Sequence, residues 1–212
     1  MINYNYIAIE GNIGAGKTTL ARKIAEDYNA HLILEQFEEN PFLPKFYEEP
    51  EKYAFQVELT FLADRYHQLH NQLTRKDLFK TFTVADYYFM KSLTFARTTL
   101  GQDEFNLFRK IFDIINNMVI KPDLYVYLHM NIDNLMRNIK MRGRSYEQSI
   151  ERKYLQQLQD GYFDFFKKQP DFKFLLIDIN NIDFVSNPEH YNRLKNVIFE
   201  VEYKTGINHC VL

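Results

Sequence analysis

Eight consecutive residues near the start of the chain have the types and spacing of a phosphate-binding loop. Positions 11 to 18 read G-N-I-G-A-G-K-T and fit the pattern G-x-x-x-x-G-K-S/T at every fixed position. In this pattern backbone N–H groups surround a phosphate, the lysine reaches its oxygens and the hydroxyl binds Mg²⁺. The alternative is an ordinary Gly-rich turn. We predict a nucleoside triphosphate site made of Gly11, Asn12, Ile13, Gly14, Ala15, Gly16, Lys17, Thr18 and Thr19.

Two acidic residues end short apolar runs further along the chain. Glu35 ends "HLILE" and Asp86 ends "FTVAD". In an open α/β sheet the carboxyl ends of the strands line the ligand crevice, so both acids are expected beside the phosphate loop. There, one carboxylate can accept a proton from an attacking hydroxyl while the other helps to hold Mg²⁺. The alternative for each is a helix N-cap or a surface acid.

A basic segment, "RGRSYEQS" at positions 142–149, lies between two stretches with helical patterns. It carries Arg142 and Arg144, and Arg137 precedes it by roughly one and a half helical turns. Guanidinium groups neutralise the charge that develops during phosphoryl transfer, and a mobile loop can close them over it. We therefore interpret this segment as an arginine-rich lid, with a solvated basic surface as the alternative.

The elements that must position these residues follow from the apolar pattern. Five short apolar runs alternate with helical segments, as expected for parallel strands buried on both faces: Tyr6 to Gly11, His31 to Glu35, Phe82 to Asp86, Leu124 to Met130 and Lys173 to Ile179. Long helices are predicted over Glu51 to Leu73, Phe89 to Leu100 and 103–119. The fold class is thus α/β, with a doubly wound, five-stranded parallel sheet flanked by helices.

Composition narrows the class of protein. We expect 1–212 to form a single domain, because 212 residues suffice for one core. A net charge of −2 argues against a nucleic-acid polymer as partner, and no apolar run is long enough to predict a membrane span or signal peptide. The single cysteine, Cys210, fits a reducing cytoplasm. A small-molecule partner is expected.

With these motifs in view, most of the chain, from Tyr6 to Phe184, resembles the deoxynucleoside kinases, a family with a P-loop NTPase fold. "IEGNIGAGKTTL" is similar to the family's phosphate loop, and "LEQFEENPFL" resembles the segment that carries its catalytic base. The resemblance implies that Glu35 activates a sugar 5′-hydroxyl, that Tyr47 contacts the 3′-hydroxyl and that Arg65 lies near the base pocket.

The same resemblance assigns the phosphate side. "RGRSYEQ" looks like the family's lid, which implies that Arg142 and Arg144 reach the phosphates and that Glu147 reaches the 3′-hydroxyl. It further implies catalytic roles for Lys17 and both arginines, and a metal site at Thr18 and Asp86. "IDINNIDF" resembles the segment whose Asp183 and Phe184 pack beside the ATP adenine.

Two departures from the family pattern concern the nucleobase. The glutamine that reads the base in the family aligns with Glu58, whereas Gln56 lies two residues away. A carboxylate only accepts hydrogen bonds, so Glu58 favours a base edge rich in N–H donors, which is typical of a purine. Gln56 as the reader is the alternative.

The second departure is at Tyr87, which replaces the arginine that contacts the 5′-hydroxyl and the base in the family, so that Tyr87 is expected beside the substrate. A base-reading aspartate of the family falls near Ser92. Arg65 or Lys91 are then candidates for the missing cation.

The predicted function is transfer of the ATP γ-phosphate to the 5′-hydroxyl of a deoxynucleoside, with ATP and Mg²⁺ as cofactors. One alternative is a nucleoside-monophosphate kinase of the thymidylate kinase type, and the other is a non-catalytic nucleotide-binding regulatory module. The resemblance further implies a homodimer formed through the 51–73 and 89–100 helices, and feedback inhibition by a deoxynucleoside triphosphate.

Overall fold

A computed structural model describes residues 4–36, 40–75 and 77–212, so that three residues of the segment "LEQFEENPFL" lie outside it. Within these ranges six parallel strands form one sheet, in the order β2-β3-β1-β4-β5-β6. The strands are β1 (Tyr6–Gly11), β2 (His31–Ile33), β3 (Thr83–Ala85), β4 (Leu124–His129), β5 (Lys173–Asp178) and β6 (Gly206–Val211). The predicted α/β fold is confirmed, because five of these strands are the predicted ones.

The strand that the sequence analysis did not include, β6, pairs with β5 at the edge of the sheet. Its residues alternate between partly buried and exposed, and it contains Asn208 and His209. A half-exposed edge strand of this kind lacks the continuous apolar run that marks a strand buried on both faces. The sheet is therefore one strand wider than predicted.

Eight α-helices connect the strands in the described ranges, and they include the predicted long ones. They are α1 (Lys17–Tyr28), α2 (Leu43–Glu48), α3 (Pro50–Thr74), α4 (Lys91–Thr99), α5 (Gln102–Asn116), α6 (Ile132–Arg142), α7 (Arg152–Lys167) and α8 (Pro188–Phe199). Pro50 begins α3, a position that suits its fixed φ and missing N–H. No helix in the described part of the chain is long and apolar enough to span a membrane.

The two faces of the sheet bury different kinds of side chain. On one face aliphatic residues such as Ile7, Ile9 and Val126 pack with α1, α6 and α8. On the other, Tyr125, Tyr127 and other aromatic residues pack with α3, α4, α5 and α7. Because successive residues of a strand point to opposite faces, alternate residues of β1, β4 and β5 contribute to the two layers, with Tyr6, Tyr125, Tyr127 and Phe174 on the aromatic face.

Strand lengths position the two predicted acids. β2 ends at Ile33 and β3 ends at Ala85, so Glu35 and Asp86 lie just beyond the carboxyl ends of neighbouring strands. Both strands are shorter than predicted, because neither acid is among the paired residues of the strands. Their side chains are consequently available to the crevice next to the phosphate loop.

Candidate active site

The phosphate-binding loop joins β1 to α1 and contains two glycines with left-handed backbone. Gly14 has a φ of 87° and Gly16 a φ of 85°. A Cβ atom on Gly14 would come within 2.9 Å of the Leu135 carbonyl oxygen, and one on Gly16 within 2.8 Å of the Phe184 ring. Both positions therefore require glycine, for backbone conformation and for space.

Lys17 begins α1 and carries a positive charge that the loop itself does not neutralise. Its Nζ donates a hydrogen bond to the Asn12 carbonyl oxygen at 3.0 Å. Burial, and after it the charge of Lys91, lowers the pKa of Lys17 to about 8. The Asn12 side chain turns away and donates to the Leu155 carbonyl oxygen at 2.7 Å, which ties the loop to α7. The loop thus presents a cation that an anion would stabilise.

Asp86 connects the phosphate loop to the acid at the end of β2. One of its carboxylate oxygens accepts a hydrogen bond from the Thr18 hydroxyl at 2.5 Å, and the other accepts one from the Glu35 backbone N–H at 2.8 Å. A hydroxyl next to a carboxylate is a pair of oxygen ligands of the kind that Mg²⁺ accepts alongside phosphate and water. The predicted metal residues are therefore adjacent and fit the ion.

Two cations hold the Glu35 side chain. Arg65 donates from Nε and Nη2 to Oε1 at 2.9 and 2.7 Å, and Lys91 donates from Nζ to Oε2 at 2.5 Å. Burial alone would raise the pKa of Glu35, but Lys91 and Arg65 outweigh it and lower the pKa to about 2. Glu35 is consequently ionised, with both oxygens occupied.

Residues of α3 and α4 fix these cations in turn. Arg65 also donates from Nη1 to the Ser92 hydroxyl at 2.8 Å, so Ser92 orients the guanidinium. The structure does not bring Tyr87 to the predicted substrate position. Its hydroxyl is buried and donates to Gln68, which itself donates to the Leu34 carbonyl oxygen. Tyr87 packs into the aromatic layer and supports the backbone next to Glu35 through Gln68.

A cavity that we call the inner cavity lies between α3, α4 and the lid. Its apolar wall includes Leu43, Phe46, Val57, Phe61 and Phe95. Its polar lining includes Tyr47, Glu58, Arg65, Lys91 and Glu147 together with Glu35. An apolar wall with a few convergent polar groups is typical of a small-molecule site.

The structure separates Glu58 from Gln56. Glu58 is 3% exposed and lines the inner cavity, whereas Gln56 is exposed on another side of α3 and lines neither this cavity nor the phosphate cleft described below. Positions two apart on a helix do not share a face, which explains the difference. Burial raises the pKa of Glu58 to about 7, although Arg65 opposes the shift.

The lid begins where α6 ends at Gly143, which has a φ of 72°. Arg142 and Arg144 both form salt bridges with the buried carboxylate of Glu147. Tyr146 stacks on Tyr47 of the inner cavity, with ring centroids 5.8 Å apart. Arg137 does not join the lid, because its guanidinium is exposed and bonds to Asn134 on α6.

On the other side of the phosphate loop, Phe184 is buried against Gly16. Its carbonyl oxygen accepts a hydrogen bond from Lys23 at 2.9 Å. Asp183 is exposed and accepts hydrogen bonds from the backbone N–H groups of Val185 and Ser186, so it shapes this turn. The pair therefore lies beside the loop, as the proposed contact with a nucleotide requires.

A second cavity, which we call the phosphate cleft, opens over the glycine loop and includes Gly14, Gly16, Thr19, Arg22 and Val185. Six described residues line both cavities, and they are the residues predicted to be catalytic or to bind metal: Lys17, Thr18, Glu35, Asp86, Arg142 and Arg144. The predicted chemistry therefore lies where the two cavities meet.

Comparison with known proteins identifies the family. The sequence profile of the deoxynucleoside kinases matches residues 7–201. The chain belongs to the deoxynucleoside kinase family. Members are ATP-dependent phosphotransferases, and this match favours the first of the three predicted functions.

Individual relatives cover nearly the whole of this kinase. It is 35% identical over 195 residues to the deoxyguanosine kinase of Bacillus subtilis, and this alignment covers 89% of this chain and 93% of the relative. It is 30% identical over 205 residues to the deoxyadenosine kinase of Dictyostelium discoideum, covering 96% and 83%. A solved structure of M. mycoides deoxyadenosine kinase with the products dCMP and dCDP superposes with a TM-score of 0.79 at 26% identity, covering 92% of this chain and 100% of that one.

Some residues of this kinase site were missed or left open by the sequence analysis. Lys91 was one of two candidates for a missing cation, and the structure places both it and Arg65 on Glu35. Gln68 lies on the same face of α3 as Arg65, and the three-residue spacing between them predicts this, because residues three apart are neighbours on a helix surface. Glu10, directly before the loop, is fully buried and accepts hydrogen bonds from Tyr88 N–H and the Tyr162 hydroxyl. Nothing in its local pattern indicates that contact with α7.

Proposed function

We propose that this kinase transfers the γ-phosphate of ATP to the 5′-hydroxyl of a purine deoxynucleoside. The observation that carries the proposal is the set of six residues shared by the inner cavity and the phosphate cleft. It provides one position that faces both a triphosphate on the glycine loop and a hydroxyl at Glu35. Relatives named deoxyguanosine kinase and deoxyadenosine kinase support a purine acceptor.

The acceptor would lie in the inner cavity with its sugar toward Glu35. Tyr47 and Glu147 line the cavity from α2 and from the lid, where the sugar 3′-hydroxyl would find a donor and an acceptor. Phe61 and Phe95 would flank the base with apolar surface. This arrangement leaves the 5′-hydroxyl beside the carboxylate that Arg65 and Lys91 hold.

In the transfer step, O5′ forms a bond to the γ-phosphorus while the bond from that phosphorus to the β,γ-bridging oxygen breaks. The 5′-hydroxyl proton passes to a carboxylate oxygen of Glu35, and ADP leaves. Because Lys91 donates a hydrogen bond to Oε2, the hydroxyl would compete with that ammonium for the oxygen. Arg65 keeps the other oxygen in place and so fixes the direction of the base.

Charge on the transferred group would be neutralised by Lys17, Arg142 and Arg144. Both arginines form salt bridges with Glu147, so phosphate oxygens would compete with that carboxylate for the guanidinium groups. Thr18 and Asp86 would hold Mg²⁺, which would supply further charge neutralisation. Phe184 and Asp183 would border the adenine of ATP.

The experiment is a panel of the four deoxynucleosides and their monophosphates with ATP and Mg²⁺, in which each product is identified. We expect purine deoxynucleoside monophosphates and ADP. Formation of diphosphates alone would support a monophosphate kinase, and ATP hydrolysis that no nucleoside stimulates would support a regulatory module. Either result would overturn the proposal.

We further propose a single catalytic unit that forms a homodimer through α3 and α4 and acts in the cytoplasm. One sheet lies between the two main cores, which supports the single unit. Light scattering of the purified protein measures the oligomeric state, and a monomer at micromolar concentration would contradict the dimer.

A further inference from the structure

The inner cavity contains a carboxylate that the proposed transfer does not use. Glu58 is 3% exposed, and its Oε1 accepts a hydrogen bond from the Thr99 hydroxyl at 2.9 Å. Its Oε2 is buried and has no hydrogen-bond partner among the described residues. An unpaired carboxylate oxygen in a buried place is costly, and a ligand that donates to it would remove that cost.

The position of Glu58 relative to Glu35 is set by helix α3. Glu58 and Arg65 lie seven residues apart on α3, which places both on the cavity face about 10 Å apart along the helix. Arg65 holds Glu35, where the 5′-hydroxyl reacts. A nucleoside with its 5′ end at Glu35 therefore points its base toward Glu58.

The bases differ in what they offer a carboxylate, which can only accept hydrogen bonds. Guanine has two adjacent donors, N1–H and N2–H, on one edge. Adenine, cytosine and thymine place an acceptor beside each donor, so that one carboxylate oxygen would face a lone pair. We propose that Glu58 makes this kinase select guanine over adenine by accepting hydrogen bonds from N1–H and N2–H. The inference rests on the proposed function and names its preferred substrate class as deoxyguanosine.

The ionisation of Glu58 provides an independent readout. The titratable groups around it come from five parts of the fold: Arg65 on its own helix, Lys91 on α4, Glu35 after β2, Tyr47 on α2 and Tyr154 on α7. Burial, opposed by Arg65, Thr99 and Lys91, raises its pKa to about 7. A protonated carboxyl gains a donor and fits the donor and acceptor of adenine. The preference for guanine should therefore increase as the pH rises through about 7.

The test compares kcat/KM for deoxyguanosine, deoxyinosine and deoxyadenosine between about pH 6 and about pH 8. Deoxyinosine keeps N1–H and lacks the N2 amino group, so we expect it to rank between the other two. Glu58→Gln should lower the ratio of deoxyguanosine to deoxyadenosine by at least about tenfold and remove its pH dependence. The matched control is Gln56→Ala, on the exposed side of the same helix, which should leave the ratio unchanged.

A ratio that is the same in Glu58→Gln and in the unmodified kinase would overturn the inference and leave the proposed function intact. If the unmodified kinase phosphorylates no deoxynucleoside, both fall. Should Glu58→Gln fail to fold, Thr99→Val decides, because it removes the hydroxyl that favours the charged carboxylate. In this variant the ratio of kcat/KM for deoxyguanosine to that for deoxyadenosine must rise at a higher pH than in the unmodified kinase. If the ratio rises at the same pH in both proteins, the role of Glu58 is contradicted.

Discussion

The two ends of the inner cavity each hold a buried carboxylate, and the electrostatics of these two ends are opposite. At the Glu35 end two cations occupy both oxygens, and the pKa is lowered to about 2. At the Glu58 end one hydroxyl occupies one oxygen, and burial raises the pKa to about 7. Arg65 and Lys91 lower the pKa of both acids, but both cations donate hydrogen bonds directly to Glu35 alone among these two, and this direct contact decides that Glu35 stays ionised.

The difference separates two tasks within one cavity. An acid that is ionised at any physiological pH can orient and deprotonate a hydroxyl at the Glu35 end. At the Glu58 end, an acid whose pKa is close to neutral pH has two forms. The ionised carboxylate offers two acceptors, and the protonated carboxyl offers a donor and an acceptor. Changes at the first end should therefore affect all substrates equally, and changes at the second should affect their order.

The largest effect is expected for Arg142→Ala, which removes a lid guanidinium from the side of Glu35. Loss of such a group costs about 10³ to 10⁵ in rate in related phosphoryl transfers. We expect kcat to fall by this factor for deoxyguanosine and deoxyadenosine alike. Arg137→Ala is the control, because Arg137 lies on the same helix, is exposed and, among the residues that the structure describes, bonds to Asn134. A loss confined to one base would contradict the division between the ends.

Glu35→Gln should reduce kcat by about 10² to 10⁴, the usual contribution of a general base. The amide keeps the shape of the side chain but cannot take the 5′-hydroxyl proton. Steady-state rates with both purine deoxynucleosides measure the effect, and circular dichroism verifies the fold. Near-normal turnover in a folded variant would show that Glu35 is not the base.

Lys91→Met should change the pH profile more than the rate at neutral pH. Lys91 lowers the pKa of Glu35, so its removal raises that pKa and moves the acid limb of kcat/KM to higher pH. At about pH 5 we expect the variant to lose about tenfold relative to its own activity at about pH 7.5. An acid limb at the same pH in both proteins would mean that Lys91 does not tune the base.

The last prediction concerns stability rather than rate, at the Glu58 end. Because the pKa of Glu58 is raised from its ordinary value of 4.5 to about 7 in the folded state, the stability that it contributes is complete below pH 4.5 and is lost as the pH rises through 7. Glu58→Gln removes this loss. The free energy of unfolding of the variant relative to the unmodified kinase should rise by about 3 kcal/mol between about pH 4.5 and about pH 8. Urea denaturation at both values measures it, and a constant difference would contradict the raised pKa.

Much of the candidate site follows from local sequence. The glycine loop was readable because its chemistry occupies consecutive positions, and the structure shows why Gly14 and Gly16 cannot carry a side chain. Glu35 and Asp86 were readable because polar residues that end apolar runs lie at the edge of a parallel sheet. Strand β6 was missed because an edge strand with alternating exposure lacks the apolar signal.

Partners far apart in sequence could not be read in the same way. The choice between Glu58 and Gln56 depends on the rotation of α3 against the sheet, and the place of Tyr87 depends on Gln68, nineteen residues away. The Lys91 contact with Glu35 spans 56 residues and needs α4 to pack against the end of β2.

Local sequence is enough to predict the phosphate loop, the parallel α/β sheet and the acids and arginines of the site, because backbone geometry and the apolar period are local properties of the chain. The charge state of each acid follows instead from tertiary packing. That state depends on which cations the packing of α3 and α4 brings within a few ångströms, and electrostatic interactions between buried groups depend on distance in space rather than in sequence.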